Sequence, residues 1–182
     1  VRTLQQCVDV TGVSFLRGTV GQILPACKEV SWKDANGEIR LRRLDRLVLA
    51  SGSHVNRNMD AGAAENAFDL DQLERAAVLE QHLKSLAEQP ESEARNTVVV
   101  CGGGFTGIEM ALELPGRLRD ILGADAKTRV VVVERGAQPG ARWSQELRDV
   151  IAEASAELDV EWMMISEVES VDASGVALKD GQ

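Results

Sequence analysis

The chain of 182 residues contains no tyrosine, and aromatic residues make up only 3% of it. A short-chain dehydrogenase needs a Tyr/Lys pair, so that enzyme class is excluded at once. Cysteine is scarce as well: Cys7, Cys27 and Cys101 stand far apart and form no CxxC. This argues against a zinc site, a disulfide framework and a redox pair close in sequence, and no metal site is expected. The plain reading is a reduced, cytoplasmic setting. No apolar run approaches the roughly 20 residues that a membrane-spanning helix needs. No lysine or arginine stripe is present, and 20 basic against 29 acidic residues leave a net charge of −9. Such a surface repels phosphate backbones, so nucleic acid is not expected as a partner. No secretory leader is expected from these residues, and a first residue of Val1 rather than methionine fits a trimmed chain or an excised piece of a longer one.

What remains is an ordinary globular composition, 44% apolar and 27% charged, long enough for one full domain or pieces of two. The first third reads as short strands and turns. One strand is expected over 13–20, with Gly18 as a kink. A hairpin is expected with arms at 29–32 and 39–41 around Asp34-Ala35-Asn36-Gly37, where Asn-Gly favours a type I′ turn. The nearly continuous apolar run Arg46-Leu47-Val48-Leu49-Ala50 predicts a strand buried on both faces.

Asp69 with Gln72 three residues on predicts a capping box, opening a helix whose apolar face carries Leu70, Leu73, Ala77, Leu83 and Leu86. After Asn96 the order becomes strand (97–101), glycine turn, helix (105 to about 114), strand (129–133), helix from Ser144 and strand (160–165). A hairpin follows around Ser174-Gly175. Alternating β and α elements predict a Rossmann-like α/β fold, a βαβαβ parallel sheet plus a β-hairpin. The expected domains are a mostly β remnant over 1–60, a connecting segment over 61–96 and a nucleotide-binding domain over 97–182.

Between the strand and helix that follow Asn96 lies Gly102-x-Gly104-x-x-Gly107, the context a dinucleotide fingerprint requires. Gly102 lets the chain turn sharply off the strand. Gly104 leaves room for a pyrophosphate against the backbone. Gly107 lets the helix, positive end toward the phosphates, pack closely. Gly103, Phe105 and Thr106 complete the loop. Glu134 ends the next strand, where a carboxylate accepts the hydroxyls of an adenosine ribose or, alternatively, simply meets solvent. A carboxylate there repels the 2′-phosphate of NADP while the neighbouring Arg135 tolerates it, and the balance favours NAD(H). Glu109 either complements the helix dipole in the first turn or points toward the nicotinamide.

Asp45-Arg46-Leu47-Val48-Leu49-Ala50-Ser51-Gly52-Ser53, a connecting helix and then Gly102 to Glu109 resemble, in order and interval, the pyridine nucleotide-disulfide oxidoreductase superfamily of two-dinucleotide flavoproteins. The Gly-Gly-Gly-Phe-Thr-Gly-Ile-Glu form without CxxC looks most like type II NADH:quinone oxidoreductases and related FAD-dependent NADH dehydrogenases. The resemblance implies an internal fragment: the end of a FAD domain plus most of an NAD(H) domain, incomplete at its carboxy-terminal end. It implies that Gly102, Gly104, Gly107 and Glu134 bind NAD(H), and that Glu109 lies near the nicotinamide and flavin rings as the catalytic position. Val20, Ser51 and Gly52 would touch FAD. In the full enzyme a hydride would pass from NADH to flavin and electrons on to a quinone or similar small-molecule acceptor. A homodimer and peripheral attachment of the full-length protein at the inner face of a membrane are compatible with this. The sequence departs from the family pattern at Pro115-Gly116, inside the expected helix, and at Leu44, where an aromatic is usual.

Two other readings of the glycine loop stand beside this one: a non-catalytic NAD-binding module, and a methyltransferase, which usually reads GxGxG. His54, His82, Trp32, Trp143 and Trp162 are expected to be structural, and Cys101 to be a small buried strand-end residue.

Overall fold

The computed structural model describes Val8 and residues 11–52, 61–179 and 181. The chain divides into two compact units, Val1–Gly52 and Ser53–Gln182.

The first unit is a three-stranded antiparallel sheet, β1 (Gly18–Leu24), β2 (Glu29–Asp34) and β3 (Ile39–Arg43), in the order β1-β2-β3. Gly18 opens β1 instead of kinking a strand over 13–20, and the irregularity lies between Val20 and Ile23. The turn after β2 is not type I′. Asp34 and Glu38 still pair across it, so the loop holds three residues, and only Gly37 takes a positive φ, 85°. Three-residue loops use a left-handed glycine after an ordinary turn. Asp34 Oδ1 fixes that turn by accepting from the N–H groups of Asn36 and Glu38 at 2.9 and 3.0 Å. The expected strand over 46–50 does not form, and Val48 is 85% exposed. β1 to β3 pair only with one another, and no strand pairs with this run among the described residues. An apolar run without a neighbouring strand has nothing to bury against.

The second unit carries the parallel sheet. Its elements are α1 (Ala63–Asn66), α2 (Leu73–Ser85) with a 3-10 turn at Leu86–Glu88, α3 (Glu93–Asn96), β4 (Thr97–Cys101) and α4 (Phe105–Leu122). There follow β5 (Arg129–Glu134), α5 (Gln145–Glu157), β6 (Val160–Met164) and the hairpin β7 (Val168–Asp172) and β8 (Gly175–Leu178). The sheet order is β4-β5-β6, all parallel. β5 is central, and its four valines Val130 to Val133 are buried on both faces, as an unbroken β-branched run should be. Leu114 and Leu118 of α4, Val132 of β5, and Leu83 and Leu86 from α2 and its 3-10 turn meet in one core cluster.

Three local expectations give way to this packing. The helix expected from Asp69 begins at Leu73 behind Gln72, which makes no side-chain cap; Asp69 accepts from Asp71 N–H instead. Its buried face therefore shifts to Leu79, Leu83 and Leu86, leaving Leu73 and Ala77 exposed. α4 does not stop near Leu114 but runs 18 residues through Pro115. A proline inside a helix costs about 3 kcal/mol. Burying Leu114 and Leu118 contributes about 1.5–3 kcal/mol each, so packing outweighs the missing N–H. The apolar face that the sequence predicts on α5, at Leu147, Val150, Ile151, Ala154 and Leu158, is only half buried: Ile151 and Ser155 are inside while Leu147 and Val150 remain exposed. Ser144 does cap α5, accepting from Leu147 N–H. The last strand of the sheet ends at Met164, one residue before the left-handed Ile165.

Candidate functional site: the glycine turn between β4 and α4

β4 pairs along its whole length with β5, from Thr97 opposite Arg129 to Cys101 opposite Val133. The pairing extends into the turn, where Gly102 N–H donates to Val133 O at 2.9 Å. Gly102 then takes φ +107°, a conformation that favours glycine, and the chain leaves the sheet. Gly104 is the N-cap of α4, and its carbonyl accepts the first helical bond from Ile108 N–H at 3.0 Å. Having no side chain, Gly104 offers no cap. The amides of the first helical turn therefore look outward for an acceptor, with the positive end of an 18-residue helix behind them.

Each fingerprint glycine has a distinct surrounding. A Cβ on Gly107 would run into the carbonyl oxygen of Gly102, so this glycine permits the close approach of α4 to the turn. A Cβ on Gly104 would meet nothing within 4 Å. Packing inside this unit does not require a glycine there; the open space is available to something else. These residues fit a diphosphate: main-chain donors at a helix N-terminus, an unfilled cradle and no acid in the first turn.

Glu134, half-buried at the end of β5, reaches back to this loop. Its Oε2 accepts from Gly103 N–H and its Oε1 from Gly136 N–H, both at 2.6 Å. A carboxylate has about four lone-pair sites, so two stay open. Glu134 thus forms a strap across the turn. Arg135 is exposed beside it. The carboxyl of Glu167 sits below the usual carboxylate range, held there mainly by its hydrogen bond to Lys179 and lastly by the charge of Arg135.

Phe105 is 63% exposed at the start of α4 and meets Trp143 edge-on, with ring centroids 5.8 Å apart. Trp143 lies against Gly140, whose φ is +58°. Thr106 is exposed. Glu109 is the fifth residue of α4, beyond the first turn, and is exposed. The helix dipole acts within the first turn, so the dipole reading of Glu109 loses its basis. Cys101 is exposed rather than buried. His82 is exposed, with its ring stacked on Phe68 at 4.5 Å, and His54 lies outside the described residues.

The structure brings Gly102 to Gly107, Glu134 and Arg135 to one end of the parallel sheet. Val20, Ser51 and Gly52 belong to the other unit, where all three are exposed and a Cβ on Gly52 would meet nothing within 4 Å. Sequence reasoning did not name Gly136, two residues after Glu134, and it read Trp162 as structural without placing it at the turn, where its Cζ3 stands 2.9 Å from where a Cβ on Gly103 would be. Neither carries a local signal, because the first is a loop glycine and the second is 59 positions from its contact. No helix of the described residues is long and apolar enough to cross a membrane.

Several known proteins are similar to this chain. An NADH dehydrogenase-like protein of Mycobacterium tuberculosis is 43% identical over 140 residues, 76% of this chain and 35% of that protein. A demethylphylloquinone reductase of Synechocystis is 30% identical over 70% of this chain and 30% of its own length. The chain spans about a third of the length of the curated relatives it matches. In fold it resembles the solved NDH2 of Plasmodium falciparum in complex with NADH, with a TM-score of 0.66 at 19% identity, covering 86% of this chain and 34% of that one. The sequence profile of pyridine nucleotide-disulphide oxidoreductases matches residues 7–182. By that match along almost its whole length, the chain belongs to the pyridine nucleotide-disulphide oxidoreductase family.

Proposed function

We propose that this chain is the NAD(H)-binding part of a FAD-dependent oxidoreductase that passes a hydride from NADH to flavin and on to a quinone or similar acceptor. The observation that carries the reading is the open space at Gly104 in front of the α4 N-terminus, one strand away from the carboxylate of Glu134. The amides from Gly104 to Gly107 hold the diphosphate, with Gly102 and Gly107 shaping the turn. Glu134 uses its remaining lone pairs for the adenosine ribose. Because two N–H groups pin it, it cannot swing aside for a 2′-phosphate, which favours NADH over NADPH. Glu109, on the exposed side of α4, faces the nicotinamide end. Val20, Ser51 and Gly52 offer open surface to the flavin. The bound cofactors supply the hydride and electron chemistry; the chain binds and orients them.

The relatives named as NADH dehydrogenase-like and as quinone reductases support the coarse class of reaction. An absorption spectrum of the full-length protein tests the proposal. A flavin band that bleaches on adding NADH and returns on adding a quinone is expected. Saturable NADH binding without any flavin band would replace the proposal with a non-catalytic NAD-binding module.

A further inference from the structure

In the G-x-G-x-x-G pattern the position between the first two glycines is unrestricted, yet here Gly103 is buried while Gly102 and Gly104 are exposed. Its N–H is held by Glu134 Oε2 at 2.6 Å. A Cβ built on Gly103 would stand 2.9 Å from that same oxygen and 2.9 Å from Cζ3 of Trp162. The carboxylate and the indole edge therefore converge on the spot where a side chain would be. Trp162 is itself fixed: its backbone lies in register with Val132 in the parallel sheet. Its Nε1–H donates to Oγ of Ser155 at 3.1 Å, and Ser155 is buried on α5. A line of contacts thus runs from α5 through the indole to the middle of the glycine turn.

Glycine has the widest backbone freedom of any residue. Amides that are to receive a diphosphate bind more tightly when they are already aimed. We propose that Trp162 is a positioning residue for dinucleotide binding, its indole edge, anchored by Ser155, bracing Gly103 so that the amides after it are set for the diphosphate. This rests on the dinucleotide reading above and acts on the phosphate loop, not on the ribose.

The test is to titrate NADH, NADPH and ADP-ribose into the complete protein as wild type, Trp162→Leu, Trp162→Phe and Ser155→Ala, with a thermal melt of each. Trp162→Leu should weaken NADH and ADP-ribose by the same factor, about five- to thirtyfold, the cost of fixing one glycine's backbone on binding. Glu134 stays held by Gly136 N–H in these variants, so the NADH-to-NADPH ratio should stay at its wild-type value. Ser155→Ala should lose less in the same pattern, and Trp162→Phe should recover part of the loss; these two decide the matter if the leucine variant fails to fold. Affinities within twofold of wild type in every folded variant would overturn the brace. A loss that changes the NADH-to-NADPH ratio would also overturn it, placing the action at the ribose. A wild type that binds neither NADH nor ADP-ribose would instead overturn the dinucleotide reading.

Discussion

Replacing Gly104 by valine separates what the glycine does for the fold from what it does for a ligand. Gly104 has φ −73° and ψ −178°, extended backbone that a β-branched residue adopts readily. A Cβ there meets no atom within 4 Å. Lower unfolded-state entropy stabilises such a substitution by about 0.4–1 kcal/mol. Against this, valine is a poorer N-cap than glycine, by an amount of similar order. The two effects nearly cancel, so the melting temperature should move by no more than about 4 °C. The ligand sees something different. The valine methyls would fill the space in which a diphosphate has to approach the first-turn amides. Losing two charge-assisted hydrogen bonds at about 1.5–3 kcal/mol each weakens binding at least a hundredfold. Calorimetric titration with NADH, beside a melt, reads both effects. A folded Gly104→Val protein that keeps NADH affinity within threefold would refute the cradle. A variant that unfolds would refute the openness of the position.

Other outcomes follow from the same geometry. Gly107→Ala should lower the melting temperature markedly, because its Cβ meets the Gly102 carbonyl; an unchanged melt would mean that α4 can move away from the turn. Titration of the wild type should show NADH binding tighter than NADPH, and equal affinities would remove Glu134 from its assigned place. Leu118→Ala, at a fully buried position, should cost about 2–5 kcal/mol in denaturant unfolding; a loss below 1 kcal/mol would show that α4 is not seated on the sheet. Glu80 is hydrogen-bonded first by Arg117 and then by Lys84, which holds its carboxyl below the ordinary 4.5. A depressed folded-state value stabilises above the unfolded value and is lost as pH falls through the folded one. The lead of wild type over Glu80→Gln in melting temperature should therefore be present at about pH 6 and gone by about pH 3. An equal gap at both would contradict the pairing.

The part of the fold that was legible in the sequence is the part held by local rules. The strand over 129–133 was placed within one residue of its observed end, and the glycine spacing located the turn before α4. Ser144 announced α5. Legibility failed where distant contacts decide. Pro115 reads as a stop by its own chemistry, yet Leu114 and Leu118 carry the helix past it. The run over 46–50 has the composition of a buried strand, but composition does not supply the neighbour that buries it. At the site, Glu134 was found by its place at a strand end, while its two main-chain bonds were not, since they depend on how Gly103 and Gly136 fold back. Trp162 read as a structural aromatic, and its approach to Gly103, 59 positions away, left no local mark.

The central claim is that the turn from Gly102 to Gly107 receives a dinucleotide diphosphate, and a crystal structure of the complete protein with NADH tests it most directly. Phosphate oxygens within about 3 Å of the amide nitrogens between Gly104 and Gly107 are the predicted result. A diphosphate bound elsewhere, with that turn empty, would contradict it.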